Sequence, residues 1–437
     1  MPIVARRLWR EATGIGMRVA HSALAFLVSV ALARLLNPTQ LGQYFEVLAW
    51  VLLLGAVVQT GWAPFLVREV SSLRVQGKSE TLNGIAWLSL RLVGAASLAA
   101  ALLMIALAYV SGTGGSGIEL IIVGAIVIPL LSTSSIRQAI TRGMGSPLLG
   151  QICESLTRPG IQLILLSCWW MGLLGSAAGP TTAMAIFLIA IASSSILAFY
   201  LERRSTVEVR HSATRVVPGR SEWLGSLTRN ALIGWSTALN LQVGTLVLAY
   251  AAPDPEVAAF RIAQQLSILM ALGLNAVITL YAPELGRAFA RGDLAAMQLL
   301  ARKGAIISVL AAIPTALVYV FFGPLLLEQL YGAVYASAYL PLMVMALGQL
   351  ANAGFGLVTV IAVATRSEAV ALREHVIGAA TNLLLCLVLV PVLGAVGAAL
   401  ATAISLITWN FLIFRALKRK FGISSFVGWG LRGNQKS

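Results

Sequence analysis

Residues 181–201 read TTAMAIFLIAIASSSILAFYL, and residues 202–220 read ERRSTVEVRHSATRVVPGR. The first stretch holds no charge and is long enough, as a helix rising about 1.5 Å per residue, to cross roughly 30 Å of hydrocarbon. The second carries Arg203, Arg204, Arg210, Arg215 and Arg220 against only Glu202 and Glu208. An apolar run released into a polycationic connection is the mark of a membrane helix emerging on the cytoplasmic side.

Working outward, the same grammar repeats along the chain. Apolar runs predict about twelve spans, at 12–36, 42–66, 83–110, 119–140, 152–173, 181–201, 227–252, 257–281, 303–326, 338–364, 370–391 and 395–415. One set of connections holds Arg6, Arg7 and Arg10; Arg68, Arg74 and Lys78; Arg142; the 202–220 cluster; Arg287, Arg291, Arg302 and Lys303; and Arg366. Lys418, Arg419, Lys420, Arg432 and Lys436 end it. The alternate connections, 37–41, 111–117, 174–180, 252–256, 322–338 and 391–394, contain no Lys or Arg, although Arg34 stands just before the first. This alternation places both termini in the cytoplasm and requires an even number of spans. The first apolar run lacks a small-residue cleavage signature and reads as a retained span.

Composition agrees. Of 437 residues, 58% are hydrophobic and 11% charged, against roughly 25% charged in an ordinary soluble domain. So few charges cannot cover a water-exposed surface of this size. The net charge of +15 follows from the basic connections and gives no reason to invoke nucleic acid. Cys153, Cys168 and Cys386 are odd in number and scattered through apolar runs, so they form neither a disulfide framework nor a metal site. His21, His211 and His375 have no ligand spacing. No Walker sequence, glycine-rich phosphate loop or HExxH is present, which argues against a cofactor and against ATP hydrolysis in this chain.

The two halves echo each other. Ala63-Pro64-Phe65-Leu66-Val67-Arg68 matches Ala282-Pro283-Glu284-Leu285-Gly286-Arg287, and Thr141-Arg142 matches Thr365-Arg366. Gly172-Leu173-Leu174-Gly175-Ser176-Ala177 matches Gly394-Ala395-Val396-Gly397-Ala398-Ala399. Six spans per half give both halves one orientation, hence a parallel repeat. The expected fold is an all-α polytopic membrane protein with two parallel six-helix lobes around a central cavity. Its parts are a lobe at 1–204, a cytoplasmic linker at 205–225, a lobe at 226–417 and a basic tail at 418–437.

Charges inside spans are expensive and face a cavity or a partner. Arg18 stands about eight residues, roughly 12 Å, beyond Arg10, with His21 at i+3. Arg261 lies near the outer end of span 8, with Gln264 and Gln265 one turn on. Arg91 sits in span 3, Arg158 in span 5 with Glu154 at i−4, and Arg34 at the outer end of span 1. Bland readings stand beside each: an ion pair for Arg158, snorkelling for Arg91 and headgroup anchoring for Arg34. Asn240 and the other polar residues of spans 7 and 10 read as interhelical glue or as polar lining. The excess of guanidinium over carboxylate selects an anionic substrate, and arginine suits phosphate through paired hydrogen bonds.

The segment Ala33-Arg34-Leu35-Leu36-Asn37-Pro38-Thr39-Gln40-Leu41-Gly42-Gln43-Tyr44 resembles the first outer turn of the Wzx-type polysaccharide flippases of the multidrug/oligosaccharidyl-lipid/polysaccharide (MOP) exporter superfamily. Val67-Arg68-Glu69 and the Pro391, Gly394, Gly397-Ala398-Ala399 turn fit the same family. The resemblance implies a transporter of the bacterial inner membrane and not an enzyme. It would move undecaprenyl-diphosphate-linked oligosaccharide to the periplasmic leaflet by alternating access, for lipopolysaccharide or exopolysaccharide synthesis. Implied partners are the lipid-linked oligosaccharide, membrane lipids, and the polymerase and chain-length machinery. Related lipid II flippases use arginines in their first and eighth spans, the spans that hold Arg18 and Arg261 here. A cation-coupled drug exporter of the same superfamily is the nearest alternative; span 1 carries Arg18 and His21 and no carboxylate, which argues against it, while Glu154 of span 5, like His21, remains a candidate for ion coupling. A polysaccharide polymerase or ligase would need a large outer loop bearing Arg, His or Asp, and the outer loops here are short.

Overall fold

The computed structural model describes residues 3–110, 116–173, 179–207 and 220–426. Most of the linker, parts of the 111–117 and 174–180 turns and the end of the tail lie outside the described residues. With them go Arg210, His211, Arg215, Arg432 and Lys436. The described residues are almost entirely helical and include no strand. The helices are α1 (Ile3–Leu35), α2 (Pro38–Gln59), α3 (Trp62–Val75), α4 (Ser79–Val110) and α5 (Ser116–Gly143). Next come α6 (Leu149–Ile152), α7 (Arg158–Trp170), α8 (Pro180–Ser205), α9 (Arg220–Ala251) and α10 (Asp254–Ala290). The rest are α11 (Leu294–Leu330), α12 (Tyr339–Phe355), α13 (Val358–Ala364) and α14 (Glu368–Phe421).

Ten stretches among the described residues are long and apolar enough to cross a membrane. One of them, α14, is two passages. Its backbone breaks at Gly394 (φ 54°, ψ −132°), a left-side φ that glycine tolerates without a Cβ clash. The halves then fold back on each other. Ser405 Oγ donates to the Gly378 carbonyl at 2.7 Å, whereas 27 residues of straight helix would separate them by about 40 Å. The remaining passage is interrupted: α6 and α7 are joined by a π-helical turn, Cys153–Thr157. These give the twelve passages expected. Several helices outrun the hydrocarbon. α10 and α11 are each 37 residues long, about 55 Å, so the runs 257–281 and 303–326 are only their apolar parts.

The first turn shows how local chemistry sets an end. Asn37 caps α2 by accepting from the Gln40 amide at 2.9 Å, while Gln40 Oε1 accepts from the Asn37 amide at 3.3 Å. This is a reciprocal capping box with Pro38 in the first helical turn.

Contacts divide the chain into two compact units. One comprises Ala20–Gln242; the other comprises Met1–Val19 with Val243–Ser437. The chain therefore passes between units within α1 and within α9. In the first unit Phe65, Leu66, Val70, Leu82, Ile136 and Ile140 pack α3, α4 and α5 together. In the second, Val277, Leu285, Met297, Leu357, Ile361 and Phe414 do the same for α10, α11, α13 and α14. Many large apolar side chains stay uncovered, among them Leu102, Ile196, Phe321, Leu384 and Val388. A soluble chain would aggregate on such faces; lipid solvates them.

Candidate functional site

Within the unit Ala20–Gln242, one proline organises a polar cleft. Pro159 opens α7 and has no amide hydrogen, so the Ser155 carbonyl loses its i+4 donor. The chain widens into the π turn, in which the Arg158 amide donates to the Cys153 carbonyl. The vacated Ser155 carbonyl takes its hydrogen bond from His21 Nδ1, at 3.3 Å. Because a carbonyl can only accept, that contact fixes the proton on Nδ1. Ser194 Oγ of α8 also donates to the Cys153 carbonyl, at 2.8 Å, and ties α8 to the turn. Single π turns of this kind are frequent at functional sites.

The turn aims Glu154 and Arg158 into a small cleft of about 40 Å³ that is also lined by Gln59, Leu131, Ser134, Ser135, Gln138, Ile191 and Ser194. Gln138 is 4% exposed. Its Nε2 donates to Ser134 Oγ at 3.1 Å, but its Oε1 is buried with no hydrogen-bond partner, as is Gln59 Oε1. Glu154 and Arg158 are not bonded to each other among the described residues; the i, i+4 ion pair considered from the sequence is not made.

The other candidates are dispersed. Arg91 is exposed on α4 and stacks its guanidinium 3.9 Å above the Trp87 ring one turn earlier. Arg34 is exposed at the end of α1. Asn240 is partly buried on α9 and is engaged by a neighbour.

In the other unit, Arg18 Nη1 donates to Thr279 Oγ1 at 3.0 Å, and Arg261 Nη1 donates to Gln264 Oε1 at 2.8 Å. Gln265 is partly buried beside them. Thr279 and Arg261 are 18 residues apart on α10, about 27 Å along its axis. The two arginines therefore do not meet; each occupies its own end of α10. Asn352 and Gln349 of α12 act as glue: Asn410 Nδ2 donates to Asn352 Oδ1 at 3.0 Å, and Asn352 Nδ2 to Gln349 Oε1 at 3.3 Å.

The sequence matches the model of the polysaccharide biosynthesis protein family over residues 14–289. The chain belongs to that family. Its superfamily is the MOP exporters, whose flippases and transporters work in membranes, and this member is a multi-pass membrane protein of that kind. Solved structures agree on the fold. An inward-facing multidrug resistance MATE transporter superposes with a TM-score of 0.69 at 16% identity, covering 92% of this chain and 94% of its own. The lipid II flippase MurJ, in an inward closed conformation, gives 0.70 at 16% identity over 92% and 87%. A MOP superfamily transporter from Pyrococcus furiosus gives 0.63 at 14% identity over 93% of each chain. No curated protein matches the sequence.

Sequence reasoning on this family member missed Gln59, Gln138 and the serines of the cleft. It also missed two buried carboxylates. Glu202 is 3% exposed and accepts from Arg137 Nη1 at 2.5 Å; Glu374 is 2% exposed and accepts from Arg373 Nε at 2.9 Å. The available signal was Arg137 inside the apolar run 119–140, together with Ser134 and Gln138 spaced i, i+4 on one helix face.

Proposed function

We propose that the chain carries an undecaprenyl-diphosphate-linked oligosaccharide from the cytoplasmic to the periplasmic leaflet of a bacterial inner membrane, in surface polysaccharide synthesis. The observation that carries this reading is the sign of the uncompensated charge. Among the described residues, the buried carboxylates Glu202 and Glu374 are each bonded to an arginine. Among those same described residues, no carboxylate is bonded to Arg18, Arg91 or Arg158, all in membrane-spanning helices. Held in a low-dielectric surrounding, an unpaired guanidinium favours an anionic group, and its fork matches phosphate oxygens.

Arg18 and Arg261, at opposite ends of α10, are the proposed stations for the diphosphate, with Arg91 and Arg34 as further cationic positions. Both termini lie in the cytoplasm on this reading, and the polymerase and chain-length machinery take up the translocated units. Loss of the gene is expected to abolish surface polysaccharide and to leave lipid-linked repeat units on the cytoplasmic face. Arg18→Ala and Arg261→Ala are expected to do the same at unchanged membrane abundance, with Arg→Lys restoring export only in part. Normal export by both alanine variants removes the phosphate assignment; normal polysaccharide in the deletion strain removes the flippase reading.

A further inference from the structure

We infer that Thr279 is a positioning residue for Arg18: it holds one side of the guanidinium and so presents the other, doubly donating edge to the diphosphate. The inference rests on Arg18 as a diphosphate station and lies wholly within the unit of Met1–Val19 with Val243–Ser437. Arg18 Nη1 donates to Thr279 Oγ1 at 3.0 Å, and Thr279 Oγ1 in turn donates to the Asn275 carbonyl at 2.9 Å. With its one hydrogen committed to that carbonyl, the hydroxyl offers the arginine only lone pairs. Nη1 is the terminal nitrogen on the Cδ side. The bond therefore leaves open the edge formed by Nε and Nη2, whose N–H bonds run parallel and match two phosphate oxygens. Neither of those nitrogens has a partner among the described residues.

The internal repeat separates this role from a merely structural one. Thr60 and Thr279 each stand four residues before the matched Pro64 and Pro283. Each donates to the carbonyl four residues back, which for Thr60 is Ala56, at 2.8 Å. That bond is common to both halves and belongs to the helix. What reaches the hydroxyl differs. In the unit Ala20–Gln242 it is α9: a Cβ on Gly234 would lie 2.5 Å from Thr60 Oγ1, and Trp235 Nε1 donates to the Val57 carbonyl at 2.8 Å. Bare helix backbone packs there, where the other unit has a guanidinium. Arg18 is exposed, and an untethered arginine spreads over many rotamers; the Thr279 bond removes that freedom before a ligand arrives.

The test titrates undecaprenyl diphosphate into the purified full chain in detergent micelles, with binding read by microscale thermophoresis. Thr279→Val, which keeps the shape and loses the oxygen, is expected to bind about tenfold more weakly at an unchanged melting temperature. Thr279→Ser, which keeps the oxygen, is expected to bind as the native chain does. In an Arg18→Ala background Thr279→Val is expected to cost nothing further, because it acts through the guanidinium alone. Thr60→Val loses the same backbone bond and is expected to leave binding unchanged. Should Thr279→Val fold poorly, Thr279→Ala carries the same expectation. Native affinity in the Thr279 variants, beside weak binding by Arg18→Ala, overturns the positioning role and leaves the flippase reading standing. Equal weakening by Thr60→Val, or an additive loss in the double variant, does the same. Native affinity in Arg18→Ala overturns the inference together with the phosphate assignment.

Discussion

Arg137 and Glu202 show what a charge inside a membrane helix needs in order to stay there. Glu202, at the end of α8, is 3% exposed. Its carboxylate is held by Arg137 Nη1 of α5 at 2.5 Å, and the Arg137 guanidinium lies 4.7 Å from the centre of the Phe199 ring. Removing one member of a buried pair leaves the other unsolvated, which typically costs about 3–5 kcal/mol, whereas replacing both with apolar groups is often neutral. Arg137→Ala is therefore expected to lower the unfolding midpoint of the purified protein sharply, and Arg137→Leu with Glu202→Leu to recover most of it. Equal loss in the single and double variants would show that the pair stabilises by more than mutual neutralisation. Arg18 and Arg261 were legible in the sequence as isolated charges in apolar runs. Their separation along α10 was not, because residue identity fixes neither which neighbour a guanidinium finds nor how far two helices are offset.

At the scale of the element, hydropathy read the passages well and their interiors poorly. The fold-back at Gly394 was visible as a Pro391–Gly394 turn without basic residues. The π turn in 153–157 was not: Pro159 marks a missing donor, but the side chain that takes its place at the Ser155 carbonyl, His21, lies 134 residues away in the chain. At the gap between α2 and α3, Gly234 of α9 fits against Thr60 so closely that a Cβ there would lie 2.2 Å from the Thr60 Cβ, a packing that hydropathy does not record. Restoring a donor to the Ser155 carbonyl tests the π turn directly. Pro159→Ala supplies an amide hydrogen and raises helix propensity, so the turn can relax to a regular α-helix and turn Glu154 and Arg158 out of their common cleft. The expected outcome is a higher melting temperature with weaker export of surface polysaccharide. A variant that exports normally while the stability rises would show that the π geometry is a tolerated defect and has no role in transport.

At the scale of the whole molecule, twelve passages were legible because each must bury its own backbone hydrogen bonds and present about 20 apolar residues to lipid. Which helices pack together was not legible. The part of α1 up to Val19 groups with Val243–Ser437, and α9 up to Gln242 groups with the N-terminal helices; hydropathy records where a helix leaves the membrane and not what it packs on. Orientation rests on a separate physical asymmetry, the retention of Lys and Arg on the cytoplasmic side. It can be tested with cysteines at exposed positions near the ends of the passages. Thr39→Cys and Ala251→Cys lie at connections without basic residues, and Lys78→Cys and Arg291→Cys at connections rich in them. In spheroplasts, a membrane-impermeant maleimide is expected to label the first pair at once and the second only after the membrane is opened. Because the passages alternate, labelling of Lys78→Cys in sealed spheroplasts would invert every connection together. It would place the Arg18 end of α10 on the outer face, and the proposed direction of diphosphate transfer would reverse with it.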